Sequence, residues 1–487
     1  MSSRHYSVII IGSGFGGQCA AINLLKEGIS DFVILERRSF TGGTWVQNSY
    51  PGAAVDVQSP LYSFSFEPYD WTQLFAERDE LKAYTESILT KYGLTEKTLT
   101  DMNVDQAKWD EKEARWKITV NQSETLTAQF VINATGPLSK PIIPNFPGKE
   151  NFKGPSFHTN NWNHDVDYGN KKVAIIGSGA SAAQVIPTIA DKVEHLHVFQ
   201  RTPHWVLPRP DYVFKGWQRK LLRKKWIYHA LRKAIYWALE FRMIGFKYTD
   251  SVLHLLGTRP ARKLLEKQVP DPQVRAKLTP DFTIGCKRIL VSNTLYPALS
   301  RENVSLHDKH DGIARIHENS IETAQGEKLD VDIIVYSTGY DATDGLISYE
   351  VIGRDGERIS EFWDDYPRAY LGTCMPKFPN FFVVTGPNTG IGHTSAIFVI
   401  ESQVKYVINS INRVRESGKQ QIEVLAEAEQ HYTDKLHQEM EKTVWHTGGC
   451  NSWYKSKSGK VIAMYPGFSF TYRYMCKRFK DKHHQLQ

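Results

Sequence analysis

The residues best placed to do chemistry are glycines. Gly12-Ser-Gly14-Phe-Gly-Gly17 follows the apolar run 7–11, and Gly177-Ser-Gly179-Ala-Ser181-Ala182 follows the run 172–176. A G-x-G-x-x-G turn between a strand and a helix suits a pyrophosphate. Its first glycine permits the tight turn, its second lets phosphate approach the backbone, and its third lets helix and strand pack closely. The helix after the turn offers free N–H groups to the anion. The next strand end distinguishes the two turns. Run 32–35 ends in Glu36, an acid suited to ribose hydroxyls, so Gly12, Gly14, Gly17 and Glu36 read as an FAD or NAD site. Run 195–199 ends instead in Gln200-Arg201-Thr202. An acid there would repel a 2′-phosphate, whereas a guanidinium binds one bidentately. Gly177, Gly179, Ser181, Arg201 and Thr202 therefore read as an NADP site, against the plainer reading of Arg201 as a surface arginine at a strand end.

Such turns must be held by doubly wound α/β units, and the chain supplies the other parts. Phe130-Val-Ile-Asn-Ala134-Thr-Gly136 and Ile333-Ile-Val-Tyr-Ser337-Thr-Gly339-Tyr340 have the strand-then-small-residue form that closes such units. Asn380-Phe-Phe-Val-Val384-Thr-Gly386-Pro-Asn388 and a helical stretch over 394–416 are expected to return to the first unit. The predicted fold is α/β, with one Rossmann-like dinucleotide-binding domain inserted into another. Residues 1–150 and 341–487 form the FAD-binding part, residues 151–340 the NADPH-binding part, and residues 212–282 a helical insertion.

Two further segments carry a resemblance. Residues 42–56 read Gly42-Gly43-Thr44-Trp45-Val-Gln-Asn-Ser-Tyr50-Pro51-Gly52-Ala-Ala-Val-Asp56, and residues 152–162 read Phe152-Lys-Gly154-Pro-Ser-Phe-His158-Thr-Asn-Asn-Trp162. They resemble the two fingerprints of type I Baeyer–Villiger monooxygenases, [A/G]-G-x-W-x4-[F/Y]-P-[G/M]-x3-D and F-x-G-x3-H-x3-W-[P/D]. The first matches at every fixed position; the second departs only at Asn163. Trp162 and Asp56 separate the chain from the related flavin-containing monooxygenases, which commonly carry Tyr or Phe and Asn there. Cys450-Asn-Ser-Trp453-Tyr454 and Tyr465-Pro-Gly467 resemble the branch of hydroxyacetophenone-type enzymes.

The resemblance implies an enzyme in which NADPH reduces FAD, dioxygen adds at flavin C4a, and the resulting peroxide converts a ketone to an ester or lactone. Gly285-Cys286-Lys287-Arg288 is similar to the family's active-site segment. That places Arg288 as the catalytic cation, Lys287 on the NADP phosphate, and Trp453 near the nicotinamide. Arginine fits because it stays charged and does not give up its proton. The resemblance makes Asp56 its partner; a loop or helix cap is the local alternative. Gly43, Thr44 and Trp45 fall beside the flavin, where Trp45, Tyr50 and Pro51 equally suit a packing role. His158 and Trp162 fit a hinge or interface between domains better than proton transfer. The expected substrate is a lipophilic or aromatic ketone, with pocket size set by loops near 340–350 and 445–455. An N- or S-oxidising flavin monooxygenase or aliphatic hydroxylase is the nearest rival, and a non-catalytic flavin redox sensor a more distant one.

The rest of the chain excludes other classes. Its 487 residues are 41% hydrophobic and 23% charged, which suits a folded protein and not a disordered one. The first strand begins near Tyr6, which leaves no room for a signal sequence. Cys19, Cys286, Cys374, Cys450 and Cys476 form no C-x-x-C and no evident disulfide framework, so a cytoplasmic setting is expected and a dithiol reductase is not. His431, His437 and His446 are expected at the surface, and no metal site is expected. Residues 212–239 read as one helix with eight Lys and Arg and no acid, which holds the whole +7 net charge. Trp217, Trp226 and Trp237 lie among them. The expectation is a subdomain packed on the nucleotide units with a solvated basic face. Peripheral contact with an anionic membrane is the alternative, and nucleic acid is not expected, because no recognition motif accompanies the charge.

Overall fold

The computed structural model describes residues 4–341 and 346–487. Residues 342–345, part of one expected pocket loop, lie outside the described residues.

The first sheet is built on strands β1 (Arg4–Ile11), β2 (Phe32–Leu35), β3 (Thr98–Leu99), β4 (Val104–Asp110), β5 (Arg115–Val120) and β6 (Glu124–Asn133). Val8 to Ile11 are buried on both faces, the unbroken apolar run that a central parallel strand requires. β1 pairs in parallel with β2 (Ile9 opposite Val33) and with β6 (Ile9 opposite Val131). β4 and β5 form an antiparallel ribbon beside the first half of β6.

The second sheet runs β10-β9-β8-β11-β7, all parallel, from β7 (Ser156–His158), β8 (Lys172–Ile176), β9 (His195–Phe199), β10 (Val304–His307) and β11 (Ile333–Tyr336). The chain then returns. β12 (Glu350–Ile352) pairs with β4, and β13 (Phe381–Val383) lies along the second half of β6. A parallel sheet is thus inserted into the connections of a mixed one, as the two glycine turns require.

Helices frame both turns and fill the insertion. α1 (Phe15–Lys26) and α2 (Thr44–Gln47) come after the first turn, and α3 (Ala180–Ile189) after the second. α4 (Gly216–Leu222), α5 (Lys225–Glu240) and α6 (Met243–Lys247) belong to the insertion. α7 (Ala396–Ser417) packs on α1, and α8 (Ser469–Lys477) packs on α7. The expected single helix over 212–239 is therefore corrected. It begins at Gly216 and breaks after Leu222, where Arg223 and Arg219 both turn to Asp70. Its charge is not all solvated either: Arg232 is buried and donates to the carbonyls of Pro60, Leu61 and Ser63.

Candidate functional site

The first turn is built by close backbone contact. Gly12 has φ +105°, and a Cβ there would lie 2.6 Å from the carbonyl oxygen of Ala134, at the end of β6. A Cβ on Gly17 would sit 1.9 Å from the Gly12 oxygen, so the third glycine serves helix–strand packing as its spacing predicts. Glu36 is buried at the end of β2 and accepts from both the backbone N–H and the hydroxyl of Ser13. Above this turn Gly43 crosses Gly14: a Cβ on Gly43, which has φ +69°, would be 2.6 Å from Gly14 Cα. Two glycine backbones therefore form a cradle that any side chain would fill, and it fits a pyrophosphate. Thr44 opens α2 immediately beyond it.

Trp45 is buried on α2 and donates Nε1–H to the Tyr62 hydroxyl at 3.3 Å. The chain next runs to the second unit. The Tyr50 hydroxyl meets Gln184 Oε1 on α3 at 2.9 Å, and Gln184 Nε2 donates to the Ala54 carbonyl at 2.8 Å. Gly52, with φ +79°, allows this approach, since a Cβ there would be 2.5 Å from the Gln184 carbonyl oxygen. Residues 50–54 are thereby clamped to α3, and Asp56 lies two residues beyond.

Asp56 meets Arg288 in a bidentate pair, with Nε to Oδ2 at 2.8 Å and Nη2 to Oδ1 at 2.6 Å. The Arg288 side chain is 49% exposed and that of Asp56 24%, so the pair lines an open cleft. The Asp56 carboxylate raises the arginine's pKa well above its ordinary value, with burial opposing, which fixes the guanidinium as a cation. Tyr62 and Tyr454 border the pair; burial pushes each phenol up to about 12, so both remain neutral donors.

Lys287, the preceding residue, belongs to the other nucleotide turn. Its pKa is lowered by burial first and then by Arg201, so two cations converge there. Thr202 accepts from the Ser178 hydroxyl through its carbonyl at 2.8 Å. Gly177 has φ +123°, and a Cβ there would be 2.2 Å from the Ser337 carbonyl oxygen, the same strand-end contact that Gly12 makes. Gly179 caps α3 with open space before it, and Ser181 lies in the first turn of that helix. Neighbouring cations at an open glycine turn fit a phosphorylated ribose.

The linker residues tie the units together. Asn160 and Asn48 both bond the Tyr340 hydroxyl at 3.0 Å, and Gln47 Nε2 donates to the Asn160 carbonyl at 2.6 Å. His158 Nδ1 accepts from the Asn160 backbone N–H, and Trp162 is buried edge-on against Phe157. Both act in packing. Asn163 Oδ1 accepts from the Asp165 N–H at 3.0 Å, the turn-capping bond that an aspartate in the fingerprint would make.

Two expectations are corrected by the tertiary packing. Cys286 and Cys450, 164 residues apart, form a disulfide that joins the Arg288 segment to the Trp453 segment. The absence of C-x-x-C spacing does not exclude a bridge made by the tertiary fold, so cysteine spacing gives no support to a reducing compartment. His437 is half-buried against Tyr366 and not at the surface. Trp453 is 44% exposed and edge-on to Tyr454, and Tyr454 is the ring that borders the Arg288–Asp56 pair.

Comparison with known proteins decides what this site belongs to. The family described as pyridine nucleotide-disulphide oxidoreductase matches residues 9–236. A Baeyer-Villiger monooxygenase of Pseudomonas aeruginosa is 41% identical over all of this chain and 92% of its own. A second, from Streptomyces coelicolor, is 40% identical over 99% of this chain and 93% of its own. The chain belongs to the Baeyer–Villiger monooxygenases. A solved cyclohexanone monooxygenase from Rhodococcus sp. Phi1, bound to NADP+, superposes with a TM-score of 0.90 at 27% identity, each chain covered fully. A steroid monooxygenase bound to NADP gives 0.88 at 29% identity over 99% of both chains. For this Baeyer–Villiger monooxygenase, Tyr62 is a site neighbour to which no motif pointed, whereas Tyr454 ends the C-terminal segment that carries the branch resemblance.

Proposed function

We propose that Arg288, oriented by Asp56, is the catalytic cation of this FAD- and NADPH-dependent monooxygenase, and that its substrate is a lipophilic or aromatic ketone. The bidentate Arg288–Asp56 pair in an open cleft carries the reading. FAD reduced by NADPH supplies the oxygen-transfer chemistry, in which ketone and O2 give ester or lactone and water. Arg288 holds the negative charge that develops on the transferred oxygen and then on the ketone's carbonyl oxygen. A guanidinium suits this task because it stabilises the charge without donating its proton. Asp56 fixes the guanidinium plane and offsets the cost of leaving it in a cleft that the ketone will dry.

Gly12, Gly14, Gly17 and Glu36 would hold the FAD pyrophosphate and ribose, with Gly43, Thr44 and Trp45 closing the cradle. Gly177, Gly179, Ser181 and Thr202 take the NADPH pyrophosphate, and Arg201 with Lys287 its 2′-phosphate. Trp453 would lie beside the nicotinamide. Residues 1–150 and 341–487 make the FAD-binding part and 151–340 the NADPH-binding part. The lipophilic substrate is supported by the rings of Tyr62, Tyr454 and Trp453 around or beside the pair. A cytoplasmic setting is supported by NADPH use.

A panel of ketones and sulfides tests the reading, with NADPH consumption and product mass measured together. Esters or lactones formed in step with NADPH loss are expected, and best from apolar ketones. Sulfoxides with no ester from any ketone would overturn it.

A further inference from the structure

Helix α5 packs its Ile227, Leu231, Ile235 and Leu239 row inward but leaves a second apolar row in solvent. Trp226, Ala230, Ala234, Trp237 and Phe241 recur at helical spacing along one stripe and all face solvent, with Trp226 72%, Trp237 57% and Phe241 63% exposed. The opposite face buries Tyr228, Arg232, Leu239 and Glu240. Its polar members are fully engaged: Arg232 on three carbonyls, and Glu240 on the Ser469 backbone and hydroxyl and on His393. A helix that buries an arginine and a glutamate while leaving two tryptophans in water is built for a second surface.

The stripe extends past the helix. The Trp237 ring meets exposed Phe470 on α8 at 5.8 Å, Phe470 stacks on Phe468 at 5.1 Å, and Phe468 on exposed Tyr248 at 6.2 Å. From Trp226 to Trp237 the face runs about 16 Å along the helix axis. The exposed charges on the helices that carry it have one sign. Lys220, Lys224, Lys225, Lys233 and Lys477 are exposed, and the only acid in α4, α5 and α8 is the buried Glu240.

We propose that this face seats the enzyme on an anionic lipid bilayer. Trp226, Trp237, Phe241 and Phe470 lie at the headgroup–acyl boundary, and the flanking lysines meet the headgroup phosphates. Charge complementarity selects lipid over a protein partner: lysine is depleted from protein–protein contact surfaces, whereas lysines around exposed tryptophans suit an anionic interface. No described helix is long and apolar enough to cross a membrane, so the attachment is peripheral. The chain that leaves the face runs through α6 to the segment that carries Arg288. Phe246 of α6 stacks on Trp445 at 5.6 Å, and its ring closes against Gly285, three residues before Arg288. A ketone dissolved in the bilayer would thus be delivered beside the cleft, a consequence that rests on the proposed substrate class; the docking itself does not.

The FAD-loaded full chain is floated with vesicles of equimolar phosphatidylcholine and phosphatidylglycerol, and with phosphatidylcholine alone. The variant Trp226→Ser, Trp237→Ser, Phe241→Ser is run beside it, with its FAD content and thermal midpoint as the check on folding. Binding to the anionic vesicles at low salt is expected, weakened about tenfold or more both by the triple substitution and by high salt. No binding at low salt would overturn the proposal, as would equal binding by the folded variant. A solution dimer that the variant abolishes, without vesicle binding, would also overturn it and assign the face to a second copy of the chain.

Discussion

The two glycine turns share a strand-end contact and differ in what closes over them. Gly12 presses on the Ala134 carbonyl and Gly177 on the Ser337 carbonyl in the same way. Over the first turn, Gly43 comes down on Gly14 and Glu36 is buried beneath. Over the second, Gly179 faces open space, Ala182 stands where a third glycine would be, and Arg201 is exposed. A cradle closed by a second loop retains its ligand. An open turn lined by cations admits one that must enter and leave in every catalytic cycle. On the proposed assignment, packing separates a resident cofactor from a cosubstrate, although the two motifs read almost alike.

The strongest way to break that comparison is to fill each turn. Gly43→Val places a side chain against Gly14 Cα in a left-handed backbone and should yield protein purified without FAD, read from its visible absorbance. Gly179→Ala should keep FAD in full and raise only the KM for NADPH. Equal FAD loss in both would contradict the assignment of roles. Arg201→Ala comes next. Removing a charge-assisted phosphate contact of about 1.5–3 kcal/mol should raise the KM for NADPH roughly tenfold to a hundredfold and leave that for NADH unchanged.

The disulfide joins the Arg288 segment to the Trp453 segment and includes no residue of either glycine turn. Cys286→Ser should cost about 2–4 kcal/mol of stability, seen as a lower denaturation midpoint, while NADPH still reduces the flavin. The second unit should also be acid-sensitive. Burial holds His197 down at about 3 and His204 at about 4, against an ordinary 6.5. Below pH 6.5 the unfolded chain takes up the protons that these two refuse, so stability present at neutral pH is lost as pH falls towards 4. The buried His197 contributes at most roughly 1.4 kcal/mol per pH unit, and His197→Gln should flatten the midpoint-against-pH curve.

Much of the site was legible because its constraints are local. Gly12, Gly17, Gly43 and Gly52 are glycine for reasons a few residues of backbone decide, and Glu36 and Arg201 sit at strand ends that spacing alone locates. The partnership of Asp56 with Arg288 spans 232 residues and came through family resemblance, not periodicity. The Cys286–Cys450 bridge and the place of Tyr454 depend on how the C-terminal segment crosses the cleft, which no local pattern encodes. In the insertion, the basic run marked a helix but not that one of its arginines turns inward. Arg232 does so because the distant carbonyls of Pro60 and Ser63 accept its hydrogen bonds.

The central claim is that Arg288 serves oxygen transfer and not flavin reduction, and Arg288→Ala tests it directly. Anaerobic bleaching of the flavin by NADPH is followed first, then ester yield per NADPH in air. Bleaching at close to the parental rate with ester yield down by at least about a hundredfold is the predicted result. Ester formation near the parental yield would contradict it.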